Sequence, residues 1–238
     1  LLGDSSMWIA CGIWVKTLTG SNAAAGLSFL CFTAPALLAP LAGLLVDRVR
    51  RRTLLLVANI AGAAMLTPLL LVHDRGDVWI IYLVMVLYGG LNNLIAPAQS
   101  ALMATLLPGE LLVSANAALR TVQESLRVLA PLLGAGLFAA LGGHAVVLLD
   151  VVTFLVAAGF IAALPRTEPA PARAVRTGRS PLRELGRELS AGFTFVRGHR
   201  VLRQITIASA VAMLVIGFGE STGFAIVDDG LHRSPEFV

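Results

Sequence analysis

Residues 43–55 read GLLVDRVRRRTLL, a glycine, an aspartate and four arginines set between two long apolar runs. The runs, residues 23–46 and 53–72, each have about the length a helix needs to cross roughly 30 Å of hydrocarbon. A charged loop joining two such runs is a turn on a membrane face. Gly43 lets the two helices approach closely there. Asp47 can cap a neighbouring helix N-terminus, where the helix dipole favours a carboxylate. Arg48, Arg51 and Arg52 can pair with acidic partners or lipid phosphates. As a set the five residues suit a latch that can be engaged or released; a plain positive anchor would need arginines alone.

The rest of the chain repeats this alternation. Of 238 residues, 57% are hydrophobic and only 13% charged, against about 25% charged in a soluble domain. The mean hydropathy is +0.82. The sequence predicts an all-α membrane protein with six apolar spans and most of a seventh: residues 1–19, 23–46, 53–72, 78–107, 111–141, 145–164 and 202–227. The links at 19–22, 73–77, 108–110 and 142–143 are short and carry Gly, Pro, Asn and Asp, so consecutive helices run antiparallel.

Charge sets the orientation. Nine of the 18 basic residues fall within 166–203 and four within 48–52, while the 1–2, 3–4 and 5–6 links carry almost no net charge. The positive-inside rule then places the N-terminus and the 2–3, 4–5 and 6–7 links in the cytoplasm, in a multi-pass protein of the inner or plasma membrane. Residues 166–181 are rich in Pro, Ala and Arg and read as a flexible linker. From residue 182 the stretch LRELGRELSAGFTFVRGHRVLR is amphipathic at helical spacing, as expected of a helix lying on the cytoplasmic leaflet. The expected division is a six-helix N-terminal bundle over 1–164, a basic linker with an interfacial helix over 165–201, and the first helix of a second bundle over 202–238. Both ends of the chain look cut.

A pI of about 9.8 would suggest nucleic acid if the charges formed a patch on a soluble domain. They sit beside apolar runs instead, so the expected partners are membrane lipid and a small-molecule substrate, with no nucleic acid and no obligate protein partner. Cys11 and Cys31 lie inside apolar runs, and the four histidines lie in or beside links, so no metal set is expected. The chain has no GxxxxGK[ST] loop, which argues against nucleotide hydrolysis. It has no HExxH, GxSxG or in-span histidine–carboxylate pair either, which argues against an intramembrane enzyme.

The stretch at 43–55 resembles the signature loop of the major facilitator superfamily, G-x-L-a-D-r-x-G-r-k-x-x-L. Gly43, Leu45, Asp47, Arg48, Arg51, Arg52 and Leu55 fall on the pattern, and Arg50 stands where the second glycine would be. The DRxxRR form is similar to the macrolide-efflux and enterobactin-exporter branch. The stretches LLPGELLVSANAALR, VVLLDVVTFLVAA and GLHRSPEFV are similar to matching parts of that branch. APLLGAG around Pro131 resembles a degraded antiporter motif, its preceding glycine replaced by Ala130. The arginine motif of many drug–proton antiporters is absent from the fourth span. The resemblance implies a fold of about twelve spans working by alternating access, driven by a proton gradient without a cofactor.

Ionisable and amide groups inside spans are the candidate site residues, because each is costly there. Asp4 lies well inside the first span once residues missing before it are allowed for. A carboxyl in an apolar setting suits a proton carrier, and Asp4 resembles the first-helix acidic position of some drug–proton exchangers. Glu124 and Glu220 are the other proton-coupling candidates. In the fifth span Asn116, Arg120, Gln123, Glu124, Arg127, Pro131 and Gly134 recur at three- and four-residue steps. Arg120 and Arg127 flank Glu124, so this face is either a cavity-lining stripe or a static charge cluster. Asn92 and Asn93 fall near mid-depth of the fourth span, with Pro97 a turn later, and either bind substrate or bond a neighbouring helix. Arg120, Gln123, Arg127, Asn92 and Asn93 are the substrate-cavity candidates. Asp150, further along in the sixth span, is expected to pair with a neighbouring helix. Trp79 and Tyr82 suit the outer interface, whereas Trp8 and Trp14 lie deeper.

The expected function is secondary active transport, with proton entry driving export of a small lipophilic compound such as a drug, macrolide or siderophore. An uptake carrier for a polar nutrient and a transport-inactive relative stay open as alternatives.

Overall fold

The computed structural model describes residues 2–38, 46, 49–164, 190, 194–208, 211, 212, 215 and 226. Among them all regular structure is helical. Six α-helices follow one another: α1 Leu2–Thr19, α2 Asn22–Thr33, α3 Arg51–Leu66, α4 Val78–Leu106, α5 Gly109–Leu141 and α6 Gly143–Ala163. They fall on the six expected spans. Four stretches, Arg51–Leu71, Arg75–Leu106, Gly109–Leu141 and Gly143–Ala163, are long and apolar enough to cross a membrane by themselves. The linker up to residue 189 and most of the seventh span lie outside the described residues. Residues 194–208 are helical except at His199.

Prolines and glycines set the helix ends. Pro35 has no N–H to return to Cys31, and α2 tightens into a 3-10 turn over Ala34–Leu38; Pro40 lies outside the described residues. The α-helical part of the third span likewise ends at Leu66, before Pro68, and continues as a 3-10 turn over Thr67–Leu71. The α1–α2 turn places Gly20 at φ 70, in the left-handed region open to glycine. Ser21 then caps α2 by accepting from the Ala24 N–H at 3.2 Å. Gly142 takes φ 79 between α5 and α6, and its N–H closes α5 on the Phe138 carbonyl at 2.7 Å.

Several of the packing pairs are not sequential. α1 packs on α5 and α6, α4 packs on α2 and α3, and α3 packs on α6. Exchanging α1 with α4, α2 with α5 and α3 with α6 maps these contacts onto one another. The bundle is therefore two three-helix units of opposite direction, the arrangement of an inverted repeat. Small residues allow the tightest contacts. A Cβ on Gly134 would stand 2.7 Å from the Ser6 carbonyl oxygen, and the Ser6 hydroxyl donates to the Ala130 carbonyl at 2.8 Å. A Cβ on Gly89 would overlap the carbonyl of Phe32.

The burial pattern is that of a bundle in lipid. α6 exposes Val152, Leu155, Val156 and Phe160 on its outer face, where water would be a poor solvent for them. α1 is the innermost helix: ten of its 18 residues are buried. Its neighbours are protein rather than lipid, so it tolerates Asp4, Ser5, Ser6 and Lys16. Trp14 is buried edge-on against Phe138, while Trp79 is 61% exposed, as a belt residue should be. Tyr82 donates its hydroxyl to the Ala24 carbonyl at 3.1 Å.

Candidate functional site

Three acidic or phenolic side chains from three helices meet inside the bundle. The Tyr88 hydroxyl of α4 lies 2.5 Å from Asp4 Oδ1 on α1 and 2.8 Å from Asp150 Oδ2 on α6. Tyr88 and Asp150 are fully buried; Asp4 is half-buried. Gly3 makes the meeting possible, since a Cβ there would overlap the Asp150 carboxylate. Phe32 and Phe154 hold the Tyr88 ring, at centroid distances of 5.8 and 5.9 Å. Trp14 lies directly against Gly143, which puts these two residues at one level. With a helical rise of 1.5 Å, Asp4 is about 15 Å and Asp150 about 10 Å further in, near the middle of a layer about 30 Å thick.

Asp4 also forms part of the wall of a cavity of about 430 Å³. The cavity reaches from the end carrying Arg51 and Arg52, where Leu55, Leu106 and Leu164 line it, to Asp4 at mid-depth. Its lining is mostly apolar, with amides of Asn59, Asn92, Gln99 and Gln123 placed singly. This combination suits a small apolar ligand oriented by a few polar groups. Of the two fourth-span asparagines, only Asn92 lines the cavity; Asn93 donates to the Gly89 carbonyl of its own helix at 2.9 Å.

In the fifth span, Gln123 reaches the cavity wall. Asn116, Arg120, Glu124 and Arg127 are exposed on α5. Half of the expected clamp on Glu124 forms, with Arg127 Nη1 at 4.0 Å from its Oε2 between side chains that are 80% and 64% exposed. Arg120 makes no ion pair among the described residues. Gly134 and Ala130, higher on the same face, are buried against α1. The face is thus covered at one end and open at the other.

At the arginine-bearing end, Arg52 Nε donates to the Ile161 carbonyl at 3.1 Å and Nη2 to the Ala162 carbonyl at 2.7 Å. These are last-turn carbonyls of α6, where a helix leaves acceptors without an internal partner and its dipole favours a cation. The start of α3 is in this way tied to the far end of the chain's sixth helix, a partner that spacing alone did not suggest. Gly43, Asp47 and Arg48 lie outside the described residues, as does Glu220. No group of His, Cys, Asp and Glu among the described residues could hold a metal ion. Tyr88 is the site residue that the sequence reading missed. Its signal was a phenol in the middle of an apolar run, which needs a partner for its hydroxyl.

The comparisons with known proteins bear on this architecture. The Major Facilitator Superfamily profile matches residues 1–232. A Bacillus subtilis (strain 168) protein named as the uncharacterized MFS-type transporter YfiS is 24% identical over 213 residues, which are 89% of this chain and 50% of that protein. The chain thus spans about half the length of this relative. No solved structure matches the chain. A profile match over nearly every residue, on an all-helical bundle whose apolar faces turn outward, leads to one conclusion: the chain belongs to the Major Facilitator Superfamily, a family of membrane transporters rather than enzymes.

Proposed function

We propose that the complete protein is a proton-driven exporter of small, fairly lipophilic compounds of drug, macrolide or siderophore type. It works in the cell membrane by alternating access, two six-helix bundles rocking about a site at mid-depth. The N-terminus and the 2–3, 4–5 and 6–7 links face the cytoplasm. Asp4 carries the proton, with Glu124 and Glu220 as further carriers along the path. Asn92 and Gln123 orient the substrate in the apolar cavity. Arg120 and Arg127, on the open face of α5, meet the second bundle. Gly43, Asp47, Arg48, Arg51 and Arg52 latch the cytoplasmic side.

The observation that carries this reading is the position of Asp4, a carboxyl at mid-depth on the wall of a mostly apolar cavity. Proton occupancy and substrate occupancy of one wall compete there, and competition for a common site is the simplest form of exchange. The test is direction. Inverted membrane vesicles carrying the full-length protein are expected to accumulate the lipophilic dye ethidium when their interior is acidic. Accumulation of a polar nutrient by right-side-out vesicles, with no dye movement in inverted ones, would overturn the reading in favour of an uptake carrier.

A further inference from the structure

We infer that Asp4, Tyr88 and Asp150 hold one shared proton, and that Tyr88 passes it between the cavity-facing carboxyl of Asp4 and the sealed carboxyl of Asp150. A tyrosine hydroxyl has a single hydrogen to donate. Its oxygen nevertheless lies 2.5 Å from one carboxylate oxygen and 2.8 Å from another. Both are normal or short distances for O–H···O bonds, and a hydrogen divided between two acceptors leaves at least one contact long. Two short contacts therefore need two hydrogens: Tyr88 donates to one carboxyl, and the other carboxyl carries a proton and donates to the Tyr88 oxygen. Two bare carboxylates on one buried hydroxyl would also repel strongly in a medium of low dielectric.

The surroundings favour sharing. The titratable groups facing the unit, among the described residues, are Asp4 and the Cys11 thiol from α1, Tyr88 from α4 and Asp150 from α6. The Thr153 hydroxyl stands 3.2 Å from Asp150 Oδ1. α2 presents Phe32 to Tyr88, while α3 and α5 present Asn59 and Gln123 to the Asp4 cavity, none of which titrates. The two carboxyls differ in access. Asp4 opens on the cavity, whereas Asp150 is fully buried and takes no part in the lining.

Transfer is balanced and needs no other reactant. The Asp4 proton moves to the Tyr88 oxygen as the Tyr88 hydrogen moves to Asp150. One O–H bond breaks and one forms at the phenol, and the net change is one proton moved from Asp4 to Asp150. Asp150 would then store the proton out of reach of the cavity while a substrate occupies the Asp4 wall. The storage role rests on the reading of Asp4 as a proton carrier; the shared proton does not.

The test is infrared difference spectroscopy of the purified full-length protein at neutral pH, following the C=O stretch of protonated carboxyl groups. One such band is expected to disappear in Asp4→Asn and equally in Asp150→Asn, because either amide can donate to the Tyr88 oxygen with no extra proton. The double variant should lose no more than either single one. In Tyr88→Phe the band should shift, its acceptor gone. A band that persists unchanged in both Asp variants, or two bands lost independently, would overturn the inference. Unchanged helical circular dichroism and elution volume in Asp150→Asn certify that the comparison is between folded proteins. Export that ignores Asp4→Asn, with the shared band lost as expected, would contradict the exporter reading and leave the shared proton standing.

Discussion

A phenol held in the middle of an apolar helix has to find an acceptor for its hydroxyl, and Tyr88 reaches two, on helices that come before and after its own. Removing the hydroxyl leaves two carboxyls facing an aromatic edge, so Tyr88→Phe is expected to lower stability by about 1–3 kcal/mol, read as the midpoint of thermal unfolding in detergent. The glycines that admit these contacts are equally exacting. A methyl group at Gly134 would press on the Ser6 backbone, which cannot swing aside as a side chain would. Gly134→Ala should therefore cost about 1–3 kcal/mol of overpacking, whereas Gly136→Ala, with open space around it, should be neutral or slightly stabilising in the same assay. At this scale the sequence was half legible. Asp4 and Asp150 stood out because charge is rare in a span. Tyr88 did not, because a phenol counts as apolar in any hydropathy reading and its partners lie 84 and 62 residues away.

Helices in this bundle are joined at their ends as well as along their faces. Arg52, in the first turn of α3, holds carbonyls in the last turn of α6, so the start of the third helix is tied to the end of the sixth. Arg52→Ala is expected to cost about 1–2 kcal/mol, toward the lower end because one of the two bonds is open to solvent. Arg52→Lys should recover only part of that, since an ammonium cannot span two carbonyls as a planar guanidinium does. The Glu124–Arg127 pair is the opposite case. Both side chains are largely exposed at 4.0 Å, and a double-mutant cycle on stability should give a coupling no larger than about 0.5 kcal/mol. The described ends of the first six spans were readable at this scale to within a few residues, because apolar length and Gly, Pro and Asp punctuation act locally. The 3-10 ends of α2 and the third span were not read as such. At Pro35 the helix changes its winding.

The whole bundle is two three-helix units in opposite directions, a relation no single helix announces in its residues. It places one acidic residue from the first unit and one from the second on a single hydroxyl, and it leaves the lower half of α5 uncovered. Which helices would touch was hidden from the sequence, since α1–α5, α2–α4 and α3–α6 are pairings across the chain. The charge asymmetry on which the proposed orientation rests was visible at once. A single cysteine at Arg179, in a chain otherwise freed of Cys11 and Cys31, is expected to react with an impermeant maleimide from the cytoplasmic side alone, and one at Asp74 from the other side alone; the reverse pattern would invert the topology proposed for the protein. Proton-driven exchange at Asp4 is the centre of the account, and proton flux measures it most directly. Full-length protein reconstituted in liposomes with an internal pH indicator should move protons out of an acidic lumen when ethidium is added outside, and Asp4→Asn should reduce that flux to the level of empty liposomes. Proton movement in Asp4→Asn equal to that of the unaltered protein would contradict the account.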